Sequence, residues 1–445
     1  MNDDAGAPPL RESATDRGRP TAALPMSALV RISLFWLGLT SIDAVVNAAV
    51  ASRLKFDHLV TAGTEGTSLA VIGVVTFIFS VAIQPTVGSI SDYAETRWGR
   101  RKPFIVAGAL FDALFLVGIA SANSLLAIAA FATLLALSTN VARGPFQGYV
   151  PDLVPDRQVG LASSMVGLMQ VLGNVVGFAL AAIANTQGNV GLAVLAVASI
   201  ELVTMLSVVL RVPNGPPAKP REGRSWAAIA AETWGTDILR EKSYLWLLAS
   251  RLFILMGGAA VLNFVNLYLP DSHGLTQSQT GSAFLVMLLA ATVVSLIAIV
   301  PASRLSDRYG RKPVIYVCTA IGAVGVGMIA LAPSIPIATV GAAIFGASQG
   351  TFLAVDWALM TDIVPKAASG RYMGLSNVVT ASSTTIAVII GGPMIDIINR
   401  SAGVGIGDRV ELLFGVGYFV IGALALRPVE EPDRRRDTAG TLAPA

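Results

Sequence analysis

Apolar residues occur along this chain in long runs separated by short polar segments. A run of about 20 apolar residues is what an α-helix needs to cross the hydrocarbon core of a bilayer. The pattern therefore predicts an all-α membrane protein with twelve transmembrane helices, numbered here as spans 1 to 12: 28–51, 67–90, 103–122, 125–149, 159–184, 188–211, 244–270, 280–303, 312–332, 335–358, 371–396 and 409–427.

The composition supports this prediction. Hydrophobic residues fill 54% of the 445 positions, charged residues only 13%, and the mean hydropathy is +0.67. A soluble domain could not bury so much apolar surface, so most of it must face lipid or other spans. The net charge of +3 sits in short clusters between apolar runs, and this arrangement argues against a nucleic-acid partner.

Several kinds of chemistry lack the residues they require. Cys318 is the single cysteine, so neither a disulfide nor a cysteine-based metal site can form within one chain. His58 and His273 have no partners at metal-ligand spacing, and the chain contains no G-x-x-x-x-G-K-[ST] phosphate loop. We therefore expect no metal, no cofactor and no enzymatic activity.

Lysine and arginine are distributed unequally between the two sides of the predicted bundle. The side that carries the N-terminus has about 25 of them, against about four on the other side: Arg53, Lys55, Arg400 and Arg409. The positive-inside rule then places both termini in the cytoplasm. We expect a monomeric, multi-pass protein of a plasma membrane; its arginine-rich usage and short loops are typical of a bacterial inner membrane.

Two sequence blocks recur about 210 residues apart. GRRKP at 99–103 returns as GRKP at 310–313, and DLVPDRQVG at 152–160 returns as DIVPKAASG at 362–370. Two blocks in the same order at one displacement predict two six-helix halves in the same orientation. The predicted organisation is a disordered cytoplasmic tail at 1–27, the halves at 28–211 and 244–427, a cytoplasmic linker at 212–243 and a second cytoplasmic tail at 428–445.

The first block belongs to a longer motif. GSISDYAETRWGRRKP has a Gly, an Asp four residues later and then Gly-Arg-Arg, and it resembles the loop signature of the major facilitator superfamily. SRLSDRYGRKP resembles the second-half copy of that signature, with Ser303 in place of the leading Gly. Seven positions separate Asp92 from Gly99, but only three separate Asp307 from Gly310. This longer first loop, together with RGPFQGYVPDLV at the end of span 4, is similar to the sucrose and glycoside-cation symporters.

The resemblance implies a charged latch on the cytoplasmic side, which would hold the two halves together while the transporter is open to the outside. The alternative is that the arginines only retain the loops in the cytoplasm, which explains a carboxylate less well. Asp152 and Asp362 are expected to join this network with Arg143 and Arg371. The predicted latch residues are Asp92, Arg97, Arg100, Arg101, Asp152, Asp307, Arg311 and Asp362.

An acidic residue lies near the centre of span 1. Asp43 is followed one helical turn later by Asn47, so the two side chains share one face. An ionisable group at this depth is costly unless it faces water, a partner or a ligand. Dehydration disfavours its charged form and would let it load and release a proton, so Asp43 is the candidate proton-coupling carboxylate. A rival interpretation makes Asp43 a permanently paired structural ion, with Arg143 as its partner.

Amide and guanidinium groups inside the spans suit a ligand rich in hydroxyl groups, and Trp36 or Trp357 could stack on the apolar face of a sugar ring. The alternative is that these side chains only join helices. Gln147 marks a departure, because the plant-type sucrose carriers have there an Arg that is tied to sugar and proton handling. The predicted substrate-binding residues are Trp36, Asn47, Asn140, Arg143, Gln147, Gln170, Asn174, Asn263, Asn266, Gln349 and Asn377.

Two further acids, Asp112 in span 3 and Glu201 in span 6, lie in spans that are peripheral in the resembled fold. Either they pair with a neighbouring span or they mark a secondary proton path. Arg251, near the start of span 7, could be an interfacial cation or a site residue.

Three functional hypotheses follow. The first is a secondary transporter that works by alternating access, with proton-coupled symport of a sugar or glycoside. The second is a proton-coupled exporter of amphipathic small molecules. The third, a receptor or scaffold on the same fold, would leave Asp43 and Asn47 without a purpose. The first is favoured, and its expected partners are a small-molecule solute, a proton and the lipid bilayer.

Overall fold

A computed structural model describes residues 22–155, 158–218, 220, 223, 225–226, 241–363 and 369–429. Most of the two predicted tails and most of the predicted linker lie outside this part of the chain. Within it, twelve helical segments are long and apolar enough to cross a membrane. This confirms the all-α fold class and the number of spans.

Each predicted span corresponds to one helix or to two consecutive helices. Span 1 consists of Met26–Ser33 and Phe35–Phe56, and span 4 of Leu125–Gln147 and Tyr149–Leu153. The other spans, in order, are Glu65–Asp92, Lys102–Ser121, Val159–Thr186, Val190–Arg211, Lys242–His273, Gln277–Tyr309, Arg311–Leu331, Ile335–Ile363, Ser369–Ala402 and Ile406–Leu426.

Several helices are longer than the apolar runs that predicted them. Span 8 begins at Gln277, where Thr276 forms a capping box with Gln279, and it continues to Tyr309, six residues beyond the predicted end. Span 1 continues to Phe56 and takes in Arg53. Backbone hydrogen bonding carries a helix through polar residues, so hydropathy marks where a span crosses lipid and not where the helix stops.

Arg53, near the end of span 1, is a cation that is stabilised by carbonyl oxygens of a neighbouring span. Its side chain is buried and donates to the carbonyl oxygens of Ile119 at 2.5 Å and Ala122 at 2.6 Å, at the end of span 3. In the second half, Arg409 donates to the carbonyl oxygens of Ala330 and Ala332 at the end of span 9. Each arginine satisfies carbonyl groups that the helix end leaves without internal partners.

The two halves pack by the same pattern. Span 4 contacts spans 2 and 3 in the first half, and span 10 contacts spans 8 and 9 in the second. Between the halves, span 2 packs against span 11 and span 5 against span 8. We call the end of the bundle that carries Met26, Asp92 and Arg101 the terminal side, and the end that carries Phe56 and Glu65 the opposite side.

Two glycines allow a close approach of the halves at the opposite side, which we call the glycine crossing. A Cβ atom added to Gly66 of span 2 would lie 2.3 Å from the carbonyl oxygen of Gly392 in span 11, and one added to Gly392 would lie 2.1 Å from the carbonyl oxygen of Gly66. Because these distances are far below van der Waals contact, only glycine permits this backbone crossing.

Candidate functional site

Asp43 and Arg143 form an ion pair in the first half, between spans 1 and 4. The Arg143 Nη2 atom donates to Asp43 Oδ2 at 2.6 Å. The Asp43 side chain is 46% exposed and that of Arg143 is 18% exposed. Asn47, one turn after Asp43, is also exposed. Asp43, Asn47 and Arg143 together are called the central face below.

The central face has the composition expected of a site that handles both a proton and a polar ligand. An exposed carboxylate can take a proton from water, and an arginine can hold the ionised form in place. The pairing of Asp43 with Arg143 is the contact that the rival interpretation of Asp43 named. It does not by itself separate the two interpretations, since a coupling carboxylate also needs a partner while it is ionised.

Two predicted ligand amides, Asn263 of span 7 and Gln349 of span 10, are half-buried. The Asn263 Nδ2 atom donates to the carbonyl oxygen of Ala259 in its own helix, at 2.8 Å, so its amide oxygen and its second N–H are left for other partners. Gln349 packs against Gly258 of span 7, where an added Cβ atom would lie 2.7 Å from Gln349 Nε2. Gln147 and Gln170 are half-buried as well, and Asn174 is exposed.

Three predicted substrate residues instead lie buried within the protein. Trp36 packs against Phe146, with ring centroids 5.8 Å apart. Asn266 is fully buried, and Asn185 Nδ2 donates to its Oδ1 at 3.3 Å, which joins spans 5 and 7. Asn140 donates to the carbonyl oxygen of Ala136. In this conformation these side chains make contacts within and between helices. The sequence could not predict this, because a span that is apolar on every side does not reveal which of its faces is open to water.

The first-half part of the predicted latch is a compact ion-pair network at the terminal side. Asp152 accepts from Arg100 Nη2 and from Arg101 Nε, both at 2.6 Å. Arg101 Nη2 also donates to Asp92 Oδ1 at 3.1 Å. The expectation that Arg143 joins Asp152 is wrong for this conformation, because Arg143 turns toward span 1 and its guanidinium is held by Asp43.

In the second half, Arg311 at the start of span 9 pairs with Asp307 at the end of span 8, at 2.8 Å, and also donates to Ser306. Arg97 is exposed and lies over the ring of Trp98, 5.8 Å from the ring centroid. The side chains of Asp362, Asn377, Trp357 and Arg371 lie outside the described part of the structure. Whether these groups join the halves in another conformation stays a prediction.

We expect Asp152→Asn to lower the free energy of unfolding by about 3–5 kcal/mol, since it removes the anion shared by two buried arginines. Asp307→Asn is the matched control, because the Asp307 side chain is 65% exposed and its pair with Arg311 should contribute about 1 kcal/mol or less. Thermal unfolding of the purified protein in detergent measures both. Equal stability losses would contradict the difference in burial.

Sequence reasoning missed a second buried ion pair. Asp356 of span 10 accepts from Arg251 of span 7, and Thr380 of span 11 lies within 3.3 Å of the same guanidinium. Both charged groups are almost fully buried. Asp356, an aspartate inside an apolar run, indicated a buried charge that needs a partner. The sequence did not reveal that partner, because Arg251 lies 105 positions away in the chain. Arg251 is therefore a buried paired cation and not an interfacial one.

Polar contacts also join the two halves at the opposite side. Asp396 of span 11 accepts from the backbone N–H groups of Gly66, at 3.1 Å, and Thr67, at 2.6 Å. Lys55 of span 1 forms an ion pair with Asp271 of span 7 and lies 3.6 Å from Glu65. We call the contacts of Lys55, Asp271 and Asp396 the opposite-side lock.

The sequence pattern of the Major Facilitator Superfamily matches residues 33–297 and 251–445, which together cover most of the chain. The chain belongs to the Major Facilitator Superfamily. Its members are transporters of small solutes, so a multi-pass transport protein of a membrane is established at that level.

Among curated proteins, the sucrose transport protein SUC4 of Arabidopsis thaliana is 26% identical over 190 residues, which is 39% of this chain and 37% of the relative. Solute carrier family 45 member 4 of Homo sapiens is 32% identical over 129 residues, 26% of this chain and 17% of the relative. The matched segments thus span well under half of the length of these relatives.

Solved structures share the fold over nearly the whole chain. A nucleoside transporter, NupG, superposes with a TM-score of 0.65 at 15% identity, covering 91% of this chain and 99% of that one. A bacterial homolog of the human lysosomal transporter Spinster, in an inward-facing and occupied conformation, superposes with a TM-score of 0.67 at 13% identity, covering 91% and 96%. At these identities the superpositions establish the fold alone.

Proposed function

We propose that this protein is a secondary active transporter that works by alternating access and carries a sugar or glycoside together with a proton. The observation that carries the proposal is the Asp43–Arg143 ion pair on the exposed central face, next to Asn47. A carboxylate at this position can take a proton from water on one side of the membrane and release it on the other. When Asp43 is protonated, the Nη2 atom of Arg143 loses its anionic acceptor and becomes available to a ligand hydroxyl group.

The contacts between the halves support alternating access. The glycine crossing of Gly66 and Gly392 and the contacts of Asp396 hold spans 2 and 11 together at the opposite side. The ion pair of Lys55 and Asp271 holds spans 1 and 7 together at the same end. At the terminal side, the network of Arg100, Arg101 and Asp152 lies within the first half. This arrangement is that of a carrier closed at the opposite side. With both termini in the cytoplasm, as the positive-inside rule predicts, the closed side would be the external one.

Substrate class rests on the partial similarity to the sucrose transport protein and on the amide groups at Asn47, Asn263 and Gln349. Amides donate and accept hydrogen bonds without adding charge, as recognition of a neutral polyol requires. We place the protein as a monomer in a bacterial inner membrane.

Uptake of radiolabelled sucrose into proteoliposomes, with and without an inward acid gradient, tests this proposal. Saturable uptake that the gradient accelerates and drives to accumulation is the expected result. Uptake that neither saturates nor responds to the gradient would overturn symport. If an amphipathic dye leaves loaded vesicles in exchange for protons while sucrose does not enter, the exporter hypothesis replaces it.

A further inference from the structure

Two acidic side chains lie next to each other deep inside the first half, away from the central face. Asp112 of span 3 and Glu201 of span 6 are both 0% exposed. Their spans pack directly on each other, and span 6 also packs on span 1. The two carboxyl groups lie within hydrogen-bonding reach of one another.

This acid pair lacks the donors that two carboxylates would need. Ser138 Oγ donates to Asp112 Oδ1. Asp112 Oδ2 and both carboxyl oxygens of Glu201 have no hydrogen-bond donor among the residues that the structure describes. An ionised carboxylate can only accept, so two ionised groups here would repel each other and remain largely unsolvated. A proton on one of them turns the contact between them into a hydrogen bond.

The charged groups that face the acid pair come from spans 1 and 4. Arg143 and Asp43 both act electrostatically on Glu201, and Arg143 acts on Asp112, with the hydroxyl groups of Ser138 and Thr139 beside it. Arg143 uses Nη2 for Asp43, whereas its buried Nε atom has no acceptor within the described part of the chain. The acid pair is therefore a second group of carboxyl oxygens toward which this guanidinium can turn.

We propose that Asp112 and Glu201 form a second proton-binding site, which exchanges a proton with Asp43 when Arg143 changes its partner. With Asp43 ionised and paired to Arg143, both carboxyl groups of the acid pair are protonated. When a proton passes from the acid pair to Asp43, Arg143 neutralises the carboxylate that is left behind. The number of protons on the three carboxyl groups and their total charge stay the same in this step.

Asp43 and the acid pair differ in exposure, and we therefore expect them to have different roles. The Asp43 side chain is 46% exposed, so exchange with water takes place there, while the acid pair stores a proton out of contact with water. A proton is the ligand, because it needs only one carboxyl oxygen, whereas a metal cation needs several oxygen ligands and water at a site that is closed to water here. In the part of the chain that the structure describes, no group of three His, Cys, Asp or Glu side chains could hold a metal ion.

The second half supplies a matched control for this site. Glu411 of span 12 lies 210 positions after Glu201, which is the displacement of the sequence repeat. It is equally buried, and neither of its carboxyl oxygens has a donor among the described residues. Asp408 is the charged group that acts on it, and among the described residues no arginine acts on Glu411 as Arg143 acts on Glu201. Glu411 should therefore bind a proton without responding to Asp43.

Infrared spectra of the full-length protein in lipid at neutral pH test the inference without any solute. The difference between wild type and Glu201→Gln should show the loss of a protonated carboxyl band, and Asp112→Asn gives the same readout if the first variant folds poorly. In an Asp43→Asn background, Arg143 lacks an anionic partner and draws negative charge onto the acid pair, so this band should weaken. The band removed by Glu411→Gln should be unchanged in that background.

Two results would overturn the inference: loss of only ionised-carboxylate bands in Glu201→Gln, or an acid-pair band that is the same with and without Asp43. The role in transport rests on the proposed function, but the spectra do not. Absence of sucrose uptake with the expected spectra would remove the proposed substrate and leave the second proton site standing. Normal sucrose uptake, together with an acid-pair band that does not depend on Asp43, would support the proposed substrate and remove the second proton site.

Discussion

Asp43→Asn will abolish accumulation driven by a proton gradient but will leave exchange of labelled for unlabelled solute intact. Exchange needs only a carrier that binds solute and reorients, whereas accumulation needs a group that binds and releases a proton in each cycle. Asparagine keeps the shape of the side chain and a hydrogen-bond acceptor for Arg143, but it cannot bind and release a proton as a carboxylate does. Counterflow and gradient-driven uptake in the same proteoliposomes provide the measurement.

Two controls separate coupling from folding. Asp57→Asn removes an aspartate of similar exposure that pairs with Arg53 at 2.8 Å at the end of span 1, away from the central face, and should leave both activities unchanged. The double variant Asp43→Asn with Arg143→Gln removes both charges, so no unpaired cation is left to destabilise the protein. Loss of exchange together with accumulation in the well-folded Asp43→Asn variant would leave Asp43 as a structural ion.

Removing the carboxylate of Asp396 will open the opposite side of the bundle. This side chain accepts from the N–H groups of Gly66 and Thr67, at the start of the helix of span 2, where Thr64 provides no side-chain cap. It therefore caps that helix from the other half of the protein, and its negative charge lies at the positive end of the helix dipole. Loss of a charged cap costs about 1–2 kcal/mol, which corresponds to a five- to thirty-fold shift between the two conformations.

Distances between spin labels on Ser124→Cys and Ser334→Cys, in corresponding loops of the two halves at this side, measure the shift. Asp396→Ala should increase the population with the longer distance. Gly392→Val should do so more strongly, because its side chain would occupy the position of the Gly66 carbonyl group. Asp57→Asn again serves as the control, since it removes a charge at the same side within one half. An unchanged distance distribution in both Asp396→Ala and Gly392→Val would show that these contacts do not hold the closed side together.

The spans and their pairing into halves could be predicted from the sequence because both depend on local patterns. A run of apolar residues identifies a span wherever it lies, and a repeated block identifies a half. The same information named Asp43 and Arg143 as possible partners, since a charge in a span needs an opposite charge close by.

Partners across the bundle could not be predicted, for a physical reason. Lys55 meets Asp271, and Arg251 meets Asp356, only because distant helices pack together. Helical spacing tells which side chains share a face, but in a span surrounded by apolar residues it does not tell which face meets water. For that reason Trp36 and Asn266 were expected at the ligand, although they contact neighbouring helices in this structure.

The ion pair of the central face has a consequence for the membrane voltage. Asp43 and Arg143 carry opposite charges, so an empty carrier presents no net charge at this position. Under the proposed coupling, a neutral sugar enters with one proton, and each turnover moves one elementary charge across the membrane. Every 100 mV, negative inside, then contributes about 2.3 kcal/mol, or roughly fifty-fold in the accumulation ratio. The cell could therefore concentrate its solute even where the proton concentrations on the two sides are equal.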